Sequence, residues 1–212
     1  MISKELQKRI LSSIILIPTA VFVIIQGHTL FIFFLSLVFL ITSYEWVVMS
    51  KKNDLLKLFG IIFLLFSFYT AFKFRDNENY KDFLFIITIC IFTDIGGYIF
   101  GKILKGPKLT RISPKKTFSG FFGGLVMSLM AGLFFNNYVF SDNKLYDEDL
   151  IISIIILSIS IISQIGDLII SYFKRKAKIK DTGKILPGHG GLLDRIDGMI
   201  FAFPFVYLLK II

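Results

Sequence analysis

Asp167, Asp194 and Asp197 are the residues of this chain that packing explains least well. They stand in otherwise apolar surroundings, in Gly166-Asp167-Leu168 and in Leu193-Asp194-Arg195-Ile196-Asp197. A charge kept inside a segment of this kind is expensive and usually serves a purpose. If 192–212 is helical, Asp194 and Asp197 project from nearly the same side, and Arg195 points about 100° away toward a different neighbour. Carboxylates grouped in this way repel one another unless a cation lies among them. Hard oxygen ligands suit Mg²⁺, which also binds substrate phosphates. A buried Asp–Arg pair would account for one aspartate but not three, so the metal reading is favoured. On that reading Asp194→Asn abolishes turnover and leaves folding near normal. Two further acids lie in apolar segments. Asp94 is open to two readings, a helix-packing residue or a carboxylate facing a polar cavity. Glu45, beside Trp46 near a segment end, is assigned a structural or interfacial role.

Two basic stretches accompany these acids. The first runs through Lys102, Lys105, Lys108 and Arg111 to Ser113-Pro114-Lys115-Lys116-Thr117-Phe118-Ser119-Gly120. A Ser-Pro turn, paired lysines and a threonine hydroxyl before a helix resemble an anion site, since free N–H groups and the helix dipole favour phosphate there. Gly120, Gly123 and Gly124 would permit close backbone approach. Lysines that merely fix topology would explain the charges but not the glycines or hydroxyls. The second stretch holds Lys174, Arg175, Lys176, Lys178, Lys180 and Lys184, followed by Pro187-Gly188-His189-Gly190-Gly191. Its glycines and proline exclude a continuous helix. His189 on such a turn is expected to contact substrate or form the turn, not to fill a core. Basic loops for polyphosphate and carboxylates for a divalent cation together imply metal-assisted phosphoryl or nucleotidyl transfer.

The elements that must position these residues are membrane spans. The 212 residues are 55% hydrophobic and include 25 phenylalanines, and the mean hydropathy is +0.74. A soluble domain with that content would lack the polar surface to cover its core. Runs of about 20 apolar residues recur, near 10–26, 29–49, 55–72, 83–101, 118–140, 150–173 and 192–212, with the division at Gln26-Gly27-His28-Thr29 the least marked. The expected fold is all-α, a polytopic transmembrane helical bundle of about seven spans. Alternating strands are absent, which argues against a membrane β-barrel. The net charge of +9 belongs to topology and not to nucleic acid, because Lys and Arg alternate strictly between connections. The positive-inside rule then sets the N-terminus and both long basic loops in the cytoplasm. The charged N-terminal stretch carries Glu5 and lacks a small-residue cleavage site, so it is expected to be a retained span. Cys90, the one cysteine, is expected to be packed. Residues 1–82 form a candidate N-terminal sub-bundle acting as scaffold, and 83–212 a catalytic transmembrane domain.

Ser171-x-x-Lys174-Arg175, Lys180-Asp181, Pro187-Gly188-His189-Gly190-Gly191 and Leu193-Asp194-Arg195-Ile196-Asp197 resemble the signature of the phosphatidate cytidylyltransferases, or CDP-diacylglycerol synthases. Gly166-Asp167-Leu168, Asp94 to Gly101 and Ser113-Pro114-Lys115-Lys116-Thr117 resemble earlier blocks of that family. The resemblance covers roughly 90–205. It implies that CTP and phosphatidic acid give CDP-diacylglycerol and pyrophosphate with Mg²⁺, with room for a second cation such as K⁺. It also implies an integral protein of the bacterial inner membrane, with its active site facing the cytoplasm. The implied metal and catalytic carboxylates are Asp167, Asp194 and Asp197, with Lys180 and Asp181 beside the nucleotide. The implied substrate-binding residues are Ser113, Lys115, Lys116, Thr117, Lys174, Arg175, Arg195 and Asp94, with His189, Gly190 and Gly191 shaping the pocket. A homodimer stays open.

The chain departs from the pattern at Ile170 and Ser119, where the family often has Glu, and at Gly198, where it often has Ser. It is also short for the family, through a reduced N-terminal half. Other CTP-dependent polyprenol or lipid kinases and cytidylyltransferases share the same logic. A CDP-alcohol phosphotransferase is discounted because its Asp-Gly-x-x-Ala-Arg pattern is absent. A cation transporter would need paired repeats or broken helices around the charges.

Overall fold

The computed structural model describes residues 18–76, 80–110, 112–140, 149–185 and 190–209. Its helices are α1 (18–26 within the described residues), α2 (His28–Met49), α3 (Asp54–Asp76), α4 (Tyr80–Ile103), α5 (Phe118–Tyr138), α6 (Asp149–Lys176), α7 (Leu193–Ile196) and α8 (Met199–Leu209). Five of these, α2 to α6, are long and apolar enough to cross a membrane. The chain is therefore an all-α, polytopic membrane protein. The five central segments read from the sequence each coincide with one helix, while the start of the expected 10–26 span lies outside the described residues.

The division between α1 and α2 is made by backbone chemistry. Gly27 and His28 have φ of 66° and 50°, a left-handed pair that no helix continues through. Arg75 closes the exposed end of α1, its Nε and Nη2 donating to the carbonyls of Ile24 and Ile25 at 2.5 and 2.9 Å.

The expected last span, 192–212, is not one helix. α7 ends at Ile196, and Asp197 and Gly198 form a turn before α8 begins. The Asp197 Oδ1 accepts from the Gly198 N–H at 3.0 Å, and the Gly198 carbonyl accepts the first α8 bond, from Ala202 at 3.1 Å. Asp194 and Asp197 therefore do not share a face of one helix, because the spacing rule requires an unbroken turn between them.

Contacts divide the chain into two compact units, Met1–Tyr80 with Phe173–Ile196, and Lys81–Tyr172 with Asp197–Ile212. The stretch 173–196 groups with the N-terminal helices. In the first unit, α2 packs on both α3 and α7. Trp46 of α2 donates to the Leu56 carbonyl at 3.1 Å. Its ring meets Phe173, at the end of α6, edge-on at 5.2 Å between centroids.

In the second unit, α4 and α5 approach backbone to backbone. A Cβ on Gly120 would stand 2.7 Å from the Gly97 carbonyl oxygen, and one on Gly124 would stand 2.9 Å from that of Thr93. Gly96 and Gly123 are equally filled, by the Gly123 backbone and by Phe100. Such small-residue faces let membrane helices gain dispersion contact without side chains between them. The expected packing face at Gly97 and Gly101 is present. Gly120, Gly123 and Gly124 serve the same interface and do not lie open to a ligand. The serine-rich side of α6 supplies polar contacts here. Ser160 shares a buried 2.8 Å hydrogen bond with Thr93, and Gln164 donates to the Phe121 carbonyl at 3.4 Å. Cys90 is buried, as expected.

Candidate active site

The candidate residues fall into two groups, one in each unit. In the second unit, the connection between α4 and α5 folds back on itself. The Leu109 N–H donates to the Lys116 carbonyl at 2.8 Å, the Phe118 N–H to that of Pro107 at 3.1 Å, and the Lys116 N–H to that of Ser113 at 3.0 Å. The last bond closes a β-turn with Pro114 at its second position, where a fixed φ favours the turn. Thr117 caps α5, its Oγ1 accepting from the Gly120 N–H at 3.1 Å. That hydroxyl, expected on phosphate, is thus already engaged with the helix end. Lys115 is exposed. Lys116 reaches Asp167 on α6, Nζ to Oδ2 at 2.5 Å, while the Ser171 hydroxyl donates to Oδ1 at 3.2 Å. About 25% of the Asp167 side chain is exposed, so other groups can reach it. Asp94 is exposed on α4 and Asp197 is buried.

In the first unit, α6 ends in a Schellman arrangement. Lys178, at φ 59°, takes the left-handed position usually held by glycine, its N–H donating to the Arg175 carbonyl and the next N–H, of Ile179, to that of Lys174, both at 3.0 Å. The chain then turns through exposed Lys180 and Asp181 to buried Thr182. Asp194 holds this loop. Its Oδ1 accepts from Lys174 Nζ at 2.7 Å, and its Oδ2 from the Thr182 and Gly191 N–H groups at 2.8 and 3.1 Å. Only 7% of this side chain is exposed. The partner of Asp194 is Lys174, not Arg195, and Arg195 is exposed. Arg175 donates to the Ile179 carbonyl at 3.3 Å. Gly190 has φ 86°, a conformation that suits glycine. His189 lies outside the described residues.

A second carboxylate, from outside the sequence motifs, meets the same loop. Glu45 of α2 is 1% exposed. Its Oε2 accepts from the Thr182 hydroxyl at 2.9 Å and the Leu193 N–H at 2.8 Å, and its Oε1 from the Leu192 N–H at 3.0 Å. The side chain is buried and bonded to the loop that follows α6. Only Gly183 and Gly191 hint at it, since a Cβ on either would collide with the Glu45 carboxylate.

Among the described residues, no group of three His, Cys, Asp or Glu side chains is placed to hold a metal. Asp194 falls in the first unit and Asp167 and Asp197 in the second. Asp194 accepts from a lysine and two amides and is largely buried, whereas Asp167 keeps exposed surface. Mg²⁺ typically takes only one or two protein carboxylates and completes its shell with water and substrate phosphates. The residues therefore fit an ion that arrives with a nucleotide, not a preformed cage.

Fold and residue content define an all-α, polytopic membrane protein with lysine–carboxylate pairs anchoring its two basic connections. The profile of the cytidylyltransferase family matches residues 53–212. The phosphatidate cytidylyltransferase of Rickettsia bellii is 35% identical over 225 aligned positions, covering 99% of this chain and 94% of that protein. That of Rickettsia felis is 36% identical, covering 96% of this chain and 92% of its own length. The Staphylococcus epidermidis enzyme of the same name is 40% identical over 136 residues, 64% of this chain and 51% of that protein. The chain belongs to the cytidylyltransferase family. The chain covers almost the whole length of the two rickettsial proteins.

Proposed function

We propose that the protein is a phosphatidate cytidylyltransferase, transferring the cytidylyl group of CTP to phosphatidic acid and releasing pyrophosphate. The observation that carries this is the near end-to-end likeness to the Rickettsia bellii enzyme of that name. A lipid phosphate oxygen attacks the α-phosphorus of CTP, a new P–O bond forms, and the bond to the β-phosphate breaks. Charge accumulates on the transferring and leaving oxygens, so preorganised cations are the main catalytic requirement. Lys115 and Lys116 are suited to phosphate oxygens, with Ser113 in the same turn. Lys116 would exchange its bond to Asp167 for one to substrate, freeing a carboxylate oxygen. Mg²⁺ held by Asp167 and the nucleotide would supply Lewis-acid stabilisation of the developing charge. Lys180 and Asp181, exposed on a loop that Asp194 holds in shape, are assigned to the nucleotide. The basic connections are assigned to the cytoplasm of a bacterial inner membrane, where CTP is available.

The test is purified protein with labelled CTP, phosphatidic acid and Mg²⁺. CDP-diacylglycerol and pyrophosphate in equal amounts are expected. CDP with a newly phosphorylated lipid would identify a CTP-dependent kinase instead, and no product from folded protein would overturn the proposal.

A further inference from the structure

We propose that Glu45 is a positioning residue for the nucleotide loop, fixing the conformation from which Lys180 and Asp181 act. The inference rests on the reading of that loop given under Proposed function, but its support is geometric. Glu45 precedes the region matched by the family profile, which begins at residue 53.

Thr182 directly follows Lys180-Asp181 and is held at two points. Its N–H donates to Asp194 and its hydroxyl to Glu45, at 2.8 and 2.9 Å. The other side of the loop is held by the same pair of acids, Gly191 by Asp194 at 3.1 Å, and Leu192 and Leu193 by Glu45 at 3.0 and 2.8 Å. Glu45 therefore joins both strands of the loop to α2, which Trp46 fixes in turn against α3.

Every group facing Glu45 in these bonds is a donor, and an ionised carboxylate is the side chain that only accepts. A glutamine would turn an NH₂ toward at least one N–H, leaving that donor without a partner. The fit is also steric. A Cβ on Gly183 would lie 2.9 Å from Glu45 Cδ, and one on Gly191 would lie 2.7 Å from Oε2. Glycine at 183 makes room for the carboxylate, so loop sequence and α2 sequence are matched there, whereas a Cβ on Gly191 would first meet the Thr182 hydroxyl and the Gly183 nitrogen. A residue serving only as ballast for α2 would not need Gly183.

The test compares wild type with Glu45→Gln and Thr182→Val in the CTP assay, alongside hydrogen exchange over the peptide spanning 181–193. Both variants are expected to lower kcat/KM for CTP at least tenfold, with KM for phosphatidic acid within twofold of wild type. The double variant should lose less than a further twofold, because both changes break one connection. Exchange in the loop should rise at least tenfold. A merely structural role predicts fewer active molecules with both KM values unchanged, and that outcome overturns the proposal, as does activity within twofold of wild type. If Glu45→Gln does not fold, Thr182→Val decides by the same criteria. A folded wild type without activity would overturn the proposed function instead. Exchange then judges Glu45 alone, and unchanged loop protection in a folded Glu45→Gln overturns its assignment.

Discussion

At the residue scale, Asp194 shows how a motif aspartate can be committed before any ligand arrives. It accepts from Lys174, Thr182 and Gly191 with little of its surface exposed. Removing one charge of a buried pair strands the other, so Asp194→Asn is expected to cost about 3 kcal/mol of stability as well as turnover. The measurement is the unfolding midpoint in detergent, beside the activity assay. A midpoint equal to wild type with lost turnover would return Asp194 to a pure ligand role, as its sequence context first suggested. Sequence marks the aspartates as unusual because charge among apolar residues is conspicuous. It does not reveal what satisfies them, since two of the three donors to Asp194 are backbone N–H groups that every residue carries. Glu45 is obscured for the same reason, with partners 137 to 148 positions away.

At the scale of elements, the long helices are legible because span length is set by bilayer thickness and registers directly as an apolar run. The break at Asp197-Gly198 is not legible, because one Asp-Gly pair inside an apolar segment resembles a tolerated interruption. Packing gives Gly198 its role, since a side chain there would meet the backbone and side chain of Ser163 on α6. The α4–α5 interface yields a graded prediction. Gly97 has its nearest neighbour, the Gly120 carbonyl oxygen, at an ordinary 3.7 Å, whereas Gly96 faces the Gly123 carbonyl and Met127 with no spare room. Gly97→Ala should therefore shift the detergent unfolding midpoint by no more than a few degrees. Gly96→Leu should cost about 3 kcal/mol or more through overpacking against backbone that cannot yield. Equal effects would mean that the two helices do not meet through these glycines.

At the scale of the whole molecule, the chain forms two compact units. Contacts group residues 173–196, which carry all of the signature except Ser171 and Asp197, with Met1–Tyr80. Sidedness remains a matter of charge, and the chain offers a clean way to measure it. Its one native cysteine is buried, so a membrane-impermeant thiol reagent has little background. Lys180→Cys should react in inside-out vesicles and be protected in intact cells with their outer membrane permeabilised. Labelling with the opposite sidedness would invert the topology inferred from the lysines.

The bond between Glu45 and Thr182 also sets a problem of timing in biogenesis. Ribosomes add roughly 5–20 residues per second, so the 137 residues separating the two are made over on the order of ten seconds. During that interval α2 has been handed to the bilayer with a carboxylate whose donors do not yet exist. The insertion machinery, or water at the membrane surface, must keep that charge solvated until the loop that carries its donors has been synthesised. Only when residues 182–193 have been made can the loop close around it.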